Sequence, residues 1–479
     1  MKSFYITTTL PYVNADPHIG FASEIIIADV IARYHTLLGE EVVFNTGTDE
    51  HGQKIYQNAL DEDVDPQVYV DRYAKKFGEL KELLDLSYTN FIRTTDDHHE
   101  RAAQELWRRV DANGYIYKKE YAVKYCVGCE MEKTDSELED GKCPLHPNRE
   151  IDSIEEENYF FRWSAFGEKL LTLYKKYPDF VVPRKRLNEI RAFIERGLED
   201  FSISRRKEKM PWGIPVPGDD EHVMYVWFDA LTNYISTLGW SEDTENFETF
   251  WGTVDAPQAF QLAGKDNLRQ QSAMWQAMLL AADLPTSRKI GINGFVSVDG
   301  QKMSKSLGDV IAPSEMVEKY GIDGTRYLLL SMGHFGEDKD ITWQWLTEKY
   351  NADLANGLGN LVSRVIALAD ACSTFPRKGE INIDEGIDIA QEVNSFGLSL
   401  ALEKIWERIN EANKYIEEHK PWELRKSDIA HYEQVMEHLL GELGVIAKTL
   451  TPFLPETSTK IMKMLKGEKK EILFQRIAV

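Results

Sequence analysis

The amino-acid sequence predicts an α/β protein in which a parallel sheet is split by a metal-knuckle insertion and followed by an all-α helical bundle. Three observations lead to this fold class. Residues 4–46 read as strand, turn, helix and strand, residues 126–146 hold three cysteines and a histidine, and the sequence beyond residue 343 becomes helical. A chain of 479 residues is too long for one simple core, so roughly two to four domains are expected.

The opening stretch carries the pattern of a strand, a tight turn and a helix. Residues 4–10 are rich in β-branched and aromatic side chains and end at Pro11. From His18 the apolar residues recur at helical spacing, with Gly39 as the expected stop. A second strand follows at residues 41–46. Strand, helix and strand within this length imply a right-handed parallel crossover, the opening unit of a Rossmann-like sheet.

Composition and charge set the broad class. Hydrophobic residues make up 43% and charged residues 28% of the chain, as is usual for soluble globular proteins. There is no apolar run of membrane-spanning length and no charged-then-apolar leader, so we expect a cytoplasmic protein without a membrane partner. The net charge of -23 argues against a generally cationic nucleic-acid coat. A local basic surface could still bind a polyanion.

Two motifs suggest phosphate chemistry. The first-turn N–H groups of the helix at His18 and Gly20 form a natural phosphate site, although a His-x-Gly turn alone is more often structural. About two-thirds along the chain, the lysine loop (residues 302–306, Lys-Met-Ser-Lys-Ser) presents two ammonium groups and two hydroxyls. Residues 17–20, Pro-His-Ile-Gly, and the lysine loop resemble the paired signatures of class I aminoacyl-tRNA synthetases. Further motifs resemble the methionyl-tRNA synthetase family over essentially the whole chain.

The cysteines indicate a structural zinc site. Cys126, Cys129, Cys143 and His146 follow the pattern C-x2-C-x13-C-x2-H in turn-rich sequence. Two close pairs of soft ligands suit tetrahedral zinc, and four protein ligands leave no open position for catalysis. A disulfide framework is not expected without a secretion signal. The isolated Cys372 is expected to be a small buried side chain.

The insertion is short, which bears on the substrate. Class I enzymes for isoleucine, valine and leucine carry a large editing domain here, because one methylene gives only about 1 to 3 kcal/mol of discrimination. Residues 115–206 cannot hold such a domain, which favours a long, thin, soft amino acid. The expected segments are 1–114 and 207–299 for the two halves of the Rossmann catalytic domain, 115–206 for the connective insertion, 300–347 for the lysine loop and linker, and 348–479 for an anticodon-binding bundle.

The resemblance implies a methionine pocket. Asp49, in the charged cluster after the second strand, would receive the amino acid's ammonium, although a helix-capping role is as common without the family context. Aromatic rings make favourable contacts with a thioether sulfur. Where many family members have a histidine, this chain has Gln271, which cannot carry a positive charge. The implied methionine-binding residues are Leu10, Tyr12, Asp49, Trp227, Ala230, Tyr234 and Gln271.

The same resemblance implies ATP-dependent chemistry. Methionine and ATP would form methionyl-adenylate and pyrophosphate, and the methionyl group would pass to the 3′ end of tRNA(Met). His18, Lys302 and Lys305 are the expected catalytic residues, with Mg²⁺ on the triphosphate. The implied ATP-binding residues are Tyr12, His18, Gly20, Lys265, Asp266, Val296 and Lys305.

Phe21 departs from the family pattern, because the usual signature ends in a second histidine. A phenyl ring cannot donate a hydrogen bond to ribose or phosphate, so another group would have to replace that donor. Two alternatives stay open on the sequence: a tRNA-binding paralogue that has lost ligase activity, and a class I ligase for another amino acid.

The C-terminal region is expected to be a helical bundle, with helices at residues 350–368, 391–419, 429–450 and 455–465. In the family such a bundle reads the anticodon, and the matching positions are Asn360, Arg364, Pro421 and Trp422. An indole offers a stacking platform for an unpaired base. Nothing after the bundle resembles an appended dimerisation module, so we expect a monomer.

Overall fold

The structure is a computed structural model that describes residues 2–129, 131–133, 137–298, 301–302, 311–372, 386–468 and 470–478. The chain divides into two compact units. The first unit comprises Met1–Pro17, Glu40–Lys81 and Tyr88–Ile292, and the second comprises His18–Gly39, Glu82–Ser87 and Asn293–Val479. Among the described residues, no helix combines the length and apolar character needed to span a membrane.

The described strands, in chain order, are β1 (Ser3–Thr8), β2 (Glu41–Thr48), β3 (Asn90–Arg93), β4 (Ile116–Cys126), β5 (Met131–Lys133), β6 (Asp152–Phe161), β7 (Val181–Val182), β8 (Phe201–Ser202), β9 (Ser204–Arg206), β10 (Pro215–Val216), β11 (Asp219–Met224), β12 (Phe260–Gly264), β13 (Lys289–Asn293), β14 (Val296–Val298), β15 (Gln301–Lys302) and β16 (Lys339–Ile341).

The described α-helices are α1 (Ile19–Leu37), α2 (Gln53–Asp61), α3 (Pro66–Gly78), α4 (Leu80–Leu83), α5 (Asp97–Ala112), α6 (Gly167–Lys176), α7 (Arg184–Glu195), α8 (Val226–Ala230), α9 (Asn233–Ser236), α10 (Thr244–Trp251), α11 (Trp275–Ala281), α12 (Pro313–Leu330), α13 (Trp343–Lys349), α14 (Asn360–Asp370), α15 (Ala390–Asn394), α16 (Leu398–His419), α17 (Pro421–Ser427), α18 (Ile429–Leu450) and α19 (Pro455–Leu465). Short 3₁₀ segments lie at Trp163–Phe166 and Lys265–Asn267, and π-helical segments at Gln270–Met274 and Tyr350–Gly359.

The first unit is built on a six-stranded sheet with the order β3-β2-β1-β12-β13-β7. β1 pairs in parallel with β2, as the strand–helix–strand pattern predicts, and with β12 on its other side. β7 comes from within the segment 115–206 and pairs in parallel with β13, so part of that segment extends the sheet. Aromatic side chains that are almost fully buried, such as Trp251 and Trp275, fill the core beside the sheet.

A second sheet in the first unit carries the cysteine-rich turns. Its strand order is β5-β4-β6-β8, and β4 pairs antiparallel with β5 and β6. β4 ends at Cys126, which places the first cysteine at the tip of this sheet.

The second unit contains α1 and the C-terminal helices. α18 and α19 have the bounds predicted from sequence. The prediction of one helix over residues 391–419 is wrong, because the chain breaks between α15 and α16. Phe396 there has a φ of 62°, a left-handed conformation that no helix interior accepts.

Residues 289–298, which lead into the lysine loop and whose pattern suggests a single strand, form two separate strands. β13 belongs to the six-stranded sheet, whereas β14 pairs with β15 and β16 in a separate sheet. At Gly294, between them, an added Cβ would lie 2.0 Å from the carbonyl oxygen of Glu337. Only glycine fits this close backbone approach, which lets the chain change sheets.

Candidate functional site

The first part of the candidate site lies at the carboxyl ends of β1 and β2 in the first unit. The turn after β1 runs in parallel with the turn after β2: Val13 N donates to Asp49 O (3.2 Å) and Asp49 N donates to Pro11 O (3.0 Å). Tyr12 and Asp49 face each other in this bridge. Asp49 is only 7% exposed, so its carboxylate lies in a shielded position at the end of the sheet, where open α/β sheets bind ligands.

Aromatic residues of α8 and α9 form the second part. Trp227 and Tyr12 both pack against a small buried cluster of Tyr125, Tyr225 and Val226, so the structure brings these two predicted residues to one place. Ala230 is buried at the end of α8. The Trp227 Nε1 group has no hydrogen-bond partner among the described residues. An apolar pocket with few polar groups is the expected form of a site for a thioether side chain.

Tyr234 and Gln271 are joined directly. The Tyr234 hydroxyl donates to Gln271 Oε1 at 3.0 Å, and both side chains are at most 2% exposed. The Tyr234 ring lies 5.9 Å from the Trp275 ring. Gln271 Nε2 has no hydrogen-bond partner within the described part of the chain. The amide therefore holds the tyrosine in place and keeps one donor in a buried, largely apolar region.

A buried polar network next to these residues was missed by the sequence analysis. His51 Nδ1 lies 2.7 Å from Asp229 Oδ2, and His99 Nε2 lies 2.8 Å from Asp229 Oδ1. Burial alone would lower the pKa of the His51 imidazole, but the Asp229 carboxylate, together with those of Glu100 and Glu50, raises it above its usual value. Burial would raise the pKa of Asp229, but the two imidazoles hold it below its usual range.

Glu50, between Asp49 and His51, is fixed by a fork of hydrogen bonds. Arg93 donates from Nε to Oε1 (2.7 Å) and from Nη2 to Oε2 (2.9 Å). Trp212 Nε1 donates to the Glu50 carbonyl oxygen at 2.7 Å. A bidentate arginine–carboxylate pair is geometrically specific, so the turn that carries Asp49 has little freedom.

The phosphate-binding turn predicted at His18 opens α1 in the second unit. His18 is the N-cap residue, and its Nδ1 accepts a hydrogen bond from Gly20 N at 3.0 Å. A neutral ring that accepts at Nδ1 carries its proton on Nε2, which makes Nε2 the donor atom. The first turn contains no acidic residue, so nothing there opposes an anion. Phe21 is half-buried.

The remaining predicted nucleotide residues are spread over three segments. Lys265 and Asp266 lie in the 3₁₀ turn after β12, and Val296 is buried in β14. The backbone of Lys302 pairs with Ser297 in β15, and its side chain is not described. Lys305 lies outside the described residues.

The four predicted zinc ligands meet in the first unit. The three cysteine sulfurs and a histidine nitrogen all lie within 4.8 Å of one another. His146 Nδ1 is 3.2 Å from Cys129 Sγ and 3.8 Å from Cys126 Sγ. At Gly128 an added Cβ would lie 2.5 Å from the His146 ring, so glycine is needed for this approach. A Cys₃His set of this size fits tetrahedral zinc and could hold the ion.

The pKa of the Cys143 thiol is lowered from its usual value, which favours the thiolate form that binds zinc. Burial alone would raise the pKa of this thiol, but the thiols of Cys129 and Cys126 and the backbone N–H groups of Leu145 and His146 lower it, while burial and the Cys143 thiol raise the pKa of the Cys129 thiol. Backbone N–H donors stabilise a thiolate, the form that binds zinc.

The predicted anticodon residues lie on α14 and α17 in the second unit. Asn360 is exposed, and Arg364 is paired with Glu417 of α16 at 2.6 Å. Pro421 is buried at the start of α17, and Trp422 beside it is 38% exposed. Helix α17 is tied to the end of α14, because Arg425 Nη1 donates to Ala371 O at 3.1 Å.

A protein-family model described as "tRNA synthetases class I (M)" matches residues 4–154 and 148–366 of this chain. The Methionine–tRNA ligase of Caldanaerobacter subterraneus is 41% identical over 97% of this chain and 74% of its own length. That of Brucella suis is 40% identical over 97% of this chain and 92% of its own.

Solved structures are similar over the same extent. Mycobacterium tuberculosis methionyl-tRNA synthetase in complex with methionyl-adenylate superposes with a TM-score of 0.89 at 36% identity, covering 97% of this chain and 94% of that chain. The apo form of the same synthetase gives a TM-score of 0.85 at 32% identity and covers 100% and 99% of the two chains.

Proposed function

The chain belongs to the methionine–tRNA ligase family of class I tRNA synthetases, and from this premise we propose how its residues share the reaction. The enzyme activates methionine with ATP and transfers the methionyl group to tRNA. In the first step, a carboxylate oxygen of methionine attacks the α-phosphorus of ATP and pyrophosphate leaves. In the second step, the terminal hydroxyl of tRNA(Met) attacks the acyl carbon and AMP leaves.

We infer that methionine binds at the ends of β1 and β2. The observation that carries this proposal is the bridge between Tyr12 and Asp49, beside the cluster that Tyr12 shares with Trp227. The Asp49 carboxylate binds the α-ammonium group, and its low exposure strengthens that attraction. Leu10, Tyr12, Trp227, Ala230, Tyr234 and Gln271 surround the side chain.

Replacement of Asp49 tests this assignment. Asp49→Asn keeps the shape but removes the charge that binds ammonium, so the KM for methionine in ATP–pyrophosphate exchange should rise about 10- to 100-fold with little change in the KM for ATP. Asp61→Asn, at an exposed position at the end of α2 without a proposed role, is the control. An unchanged methionine KM in Asp49→Asn would refute the assignment.

We propose that activation needs no protein nucleophile. His18 Nε2, the Gly20 backbone, Lys302 and Lys305 stabilise the charge that develops on the α-phosphate, and Lys265 and Asp266 contact the nucleotide with Tyr12 and Val296. Each well-placed donor of this kind contributes about 2.7 to 4 kcal/mol to transition-state stabilisation. Mg²⁺, when bound with ATP, would neutralise part of the triphosphate charge, and no residue of this chain is proposed as its ligand.

The Cys₃His cluster binds zinc in this proposal. Cys126, Cys129, Cys143 and His146 would supply all four ligands of a tetrahedral ion, which would hold the turns together and leave no open position for catalysis.

The bundle binds tRNA(Met) through its anticodon in this proposal. Trp422 offers its exposed ring for stacking, while Asn360 and Arg364 can bond to base edges beside Pro421. Trp422→Ala should raise the KM for tRNA and leave ATP–pyrophosphate exchange unchanged, whereas Leu400→Ala, an exposed site on α16, should change neither. A tRNA KM unaffected by Trp422→Ala would exclude this contact. We further propose that the protein is cytoplasmic and monomeric. Light scattering of the purified protein tests the monomeric state, because it measures the molar mass in solution.

A further inference from the structure

Asp229 lies between two of the proposed methionine contacts and is itself buried. It is on α8, two residues after Trp227 and directly before Ala230. Its carboxylate is 2.7 Å from His51 Nδ1, and the two side chains are 0% and 5% exposed. His51 follows Asp49 by two residues in the turn after β2. This contact therefore connects the turn that carries Asp49, the proposed ligand of the ammonium group, to α8, the helix that carries Trp227.

The second carboxylate oxygen of Asp229 connects a third segment. His99 on α5 lies 2.8 Å from this oxygen through Nε2, and its Nδ1 lies 2.9 Å from Ser236 Oγ. Ser236 ends α9, the helix that carries Tyr234. The turn after β2 and helix α8, which each carry a proposed methionine contact, thus meet at one carboxylate, and His99 of α5 connects that carboxylate to α9.

A contribution to fold stability alone would not explain why Asp229 and His51 are charged or polar residues and not apolar ones. A fully buried ion pair is often no more stable than packed apolar side chains of similar volume, because desolvation offsets the attraction. A buried pair does fix distances and orientations, since any displacement leaves a charge without its partner. The geometry here is fixed at both oxygens of Asp229.

We propose that Asp229, held by His51 and His99, is the positioning residue of the methionine site, setting the distance between the Asp49 carboxylate and the Trp227 ring. This inference rests on the proposed methionine contacts. His51 and Asp229 act through Asp49 and Trp227 and need not touch the substrate. The consequence is selective: methionine binding depends on the pair, and ATP binding does not.

The test compares two substitutions of His51 with a control on α5. Asparagine keeps an N–H donor close to the place of Nδ1, whereas alanine removes it. His51→Ala should raise the methionine KM about 10- to 100-fold in ATP–pyrophosphate exchange, with the ATP KM within about twofold, because a buried carboxylate loses a hydrogen bond. His51→Asn should recover most of that loss. His98→Ala, at the exposed neighbour of His99, should behave as the unsubstituted enzyme.

Three results would overturn the inference. They are an unchanged methionine KM in His51→Ala, an equal rise of the methionine and ATP KM values, and a failure of asparagine to recover more than alanine. If His51→Ala does not fold, His51→Leu supplies the same comparison with His51→Asn, since leucine has nearly the size and shape of asparagine but no N–H donor.

A parallel measurement separates this inference from the proposed site. If Asp49→Asn and Trp227→Ala leave the methionine KM unchanged, the proposed contacts themselves are wrong. If those two variants raise it and His51→Ala does not, the contacts stand and only the positioning role is wrong.

Discussion

Arg326 and Asp29 form an ion pair of 2.7 Å in which neither side chain is exposed. The guanidinium also donates to backbone carbonyl oxygens of Phe453 (2.9 Å), Pro452 (3.0 Å) and Leu84 (3.1 Å). Burial alone would raise the pKa of Asp29, but Arg326 and the neighbouring cation of Arg33 hold it below its usual range. Within the second unit, this one side chain links α1, α12 and the turn before α19.

Removal of this arginine should destabilise the second unit. Arg326→Met leaves the Asp29 carboxylate buried without its main partner, so the free energy of unfolding should fall by about 3 to 5 kcal/mol in urea denaturation. Arg408→Gln breaks a partly exposed pair with Glu442 and should cost about 0 to 1 kcal/mol. Equal losses in the two variants would contradict the importance assigned to the buried pair.

Tyr234 and Gln271 should contribute to methionine binding together, through the hydrogen bond that joins them. Gln271→Leu leaves the buried tyrosine hydroxyl without an acceptor, so the methionine KM should rise about tenfold. Tyr234→Phe removes the other partner. The double substitution should cost clearly less than the sum of the two single ones, because the bond can be lost only once. Additive effects in ATP–pyrophosphate exchange would show that the two residues act separately.

Zinc content should depend on the glycine beside His146. In Gly128→Ala the new methyl group collides with the imidazole, so the purified protein should contain well under one zinc per chain by elemental analysis. Cys143→Ser should have the same effect, because it removes a ligand. Cys372→Ser, at the isolated cysteine, is the control and should retain the metal. A full equivalent of zinc in Cys143→Ser would refute the proposed ligand set.

Lys339 should make stability rise with pH in alkaline solution. Burial lowers the pKa of this lysine to about 8, although Glu337 acts in the opposite direction. The unfolded chain keeps its proton up to about pH 10.4, so between these values it binds more protons than the folded chain and folding becomes more favourable. Below pH 8 the full cost of the buried charge is present.

Lys339→Met should therefore stabilise the protein at pH 7, by about 1 to 3 kcal/mol, and this gain should disappear as the pH rises from 8 towards 10.5. The measurement is the difference in urea-unfolding free energy between variant and unsubstituted protein at several pH values. A difference that does not vary with pH would show that the lysine keeps its ordinary pKa. Lys319→Met, on α12, is the control.

Local patterns predicted much of the fold because they depend on neighbours in sequence. The helical composition of the C-terminal region predicted α18 and α19 to the residue. The first strand begins one residue before its predicted start and ends two residues before its predicted end. The change of sheets at Gly294 was not predictable, because its cause is the Glu337 carbonyl, 43 residues away. The five-segment division of the chain stays a prediction.

Some residues of the candidate site could likewise be predicted from local patterns or the family resemblance, and others could not. The cysteine spacing predicted a cluster that the structure brings together, and the family resemblance pointed to Tyr12 and Asp49, which pair directly. The contact between His51 and Asp229 joins residues 178 positions apart, so no local pattern could reveal it. Both residues lay in stretches that the sequence had singled out, a charged cluster and an aromatic run. The predictions of a class I fold, a methionine–tRNA ligase and ATP-dependent activation are confirmed.

Amino-acid-dependent ATP–pyrophosphate exchange tests the central claim most directly. The purified, zinc-loaded protein would be offered methionine, leucine, isoleucine, valine and cysteine separately. Exchange is expected with methionine, and none of comparable rate with the other four, a result that would also show that Phe21 is compatible with activation. Exchange with a different amino acid, or none with any of the five from a folded sample, would contradict the account.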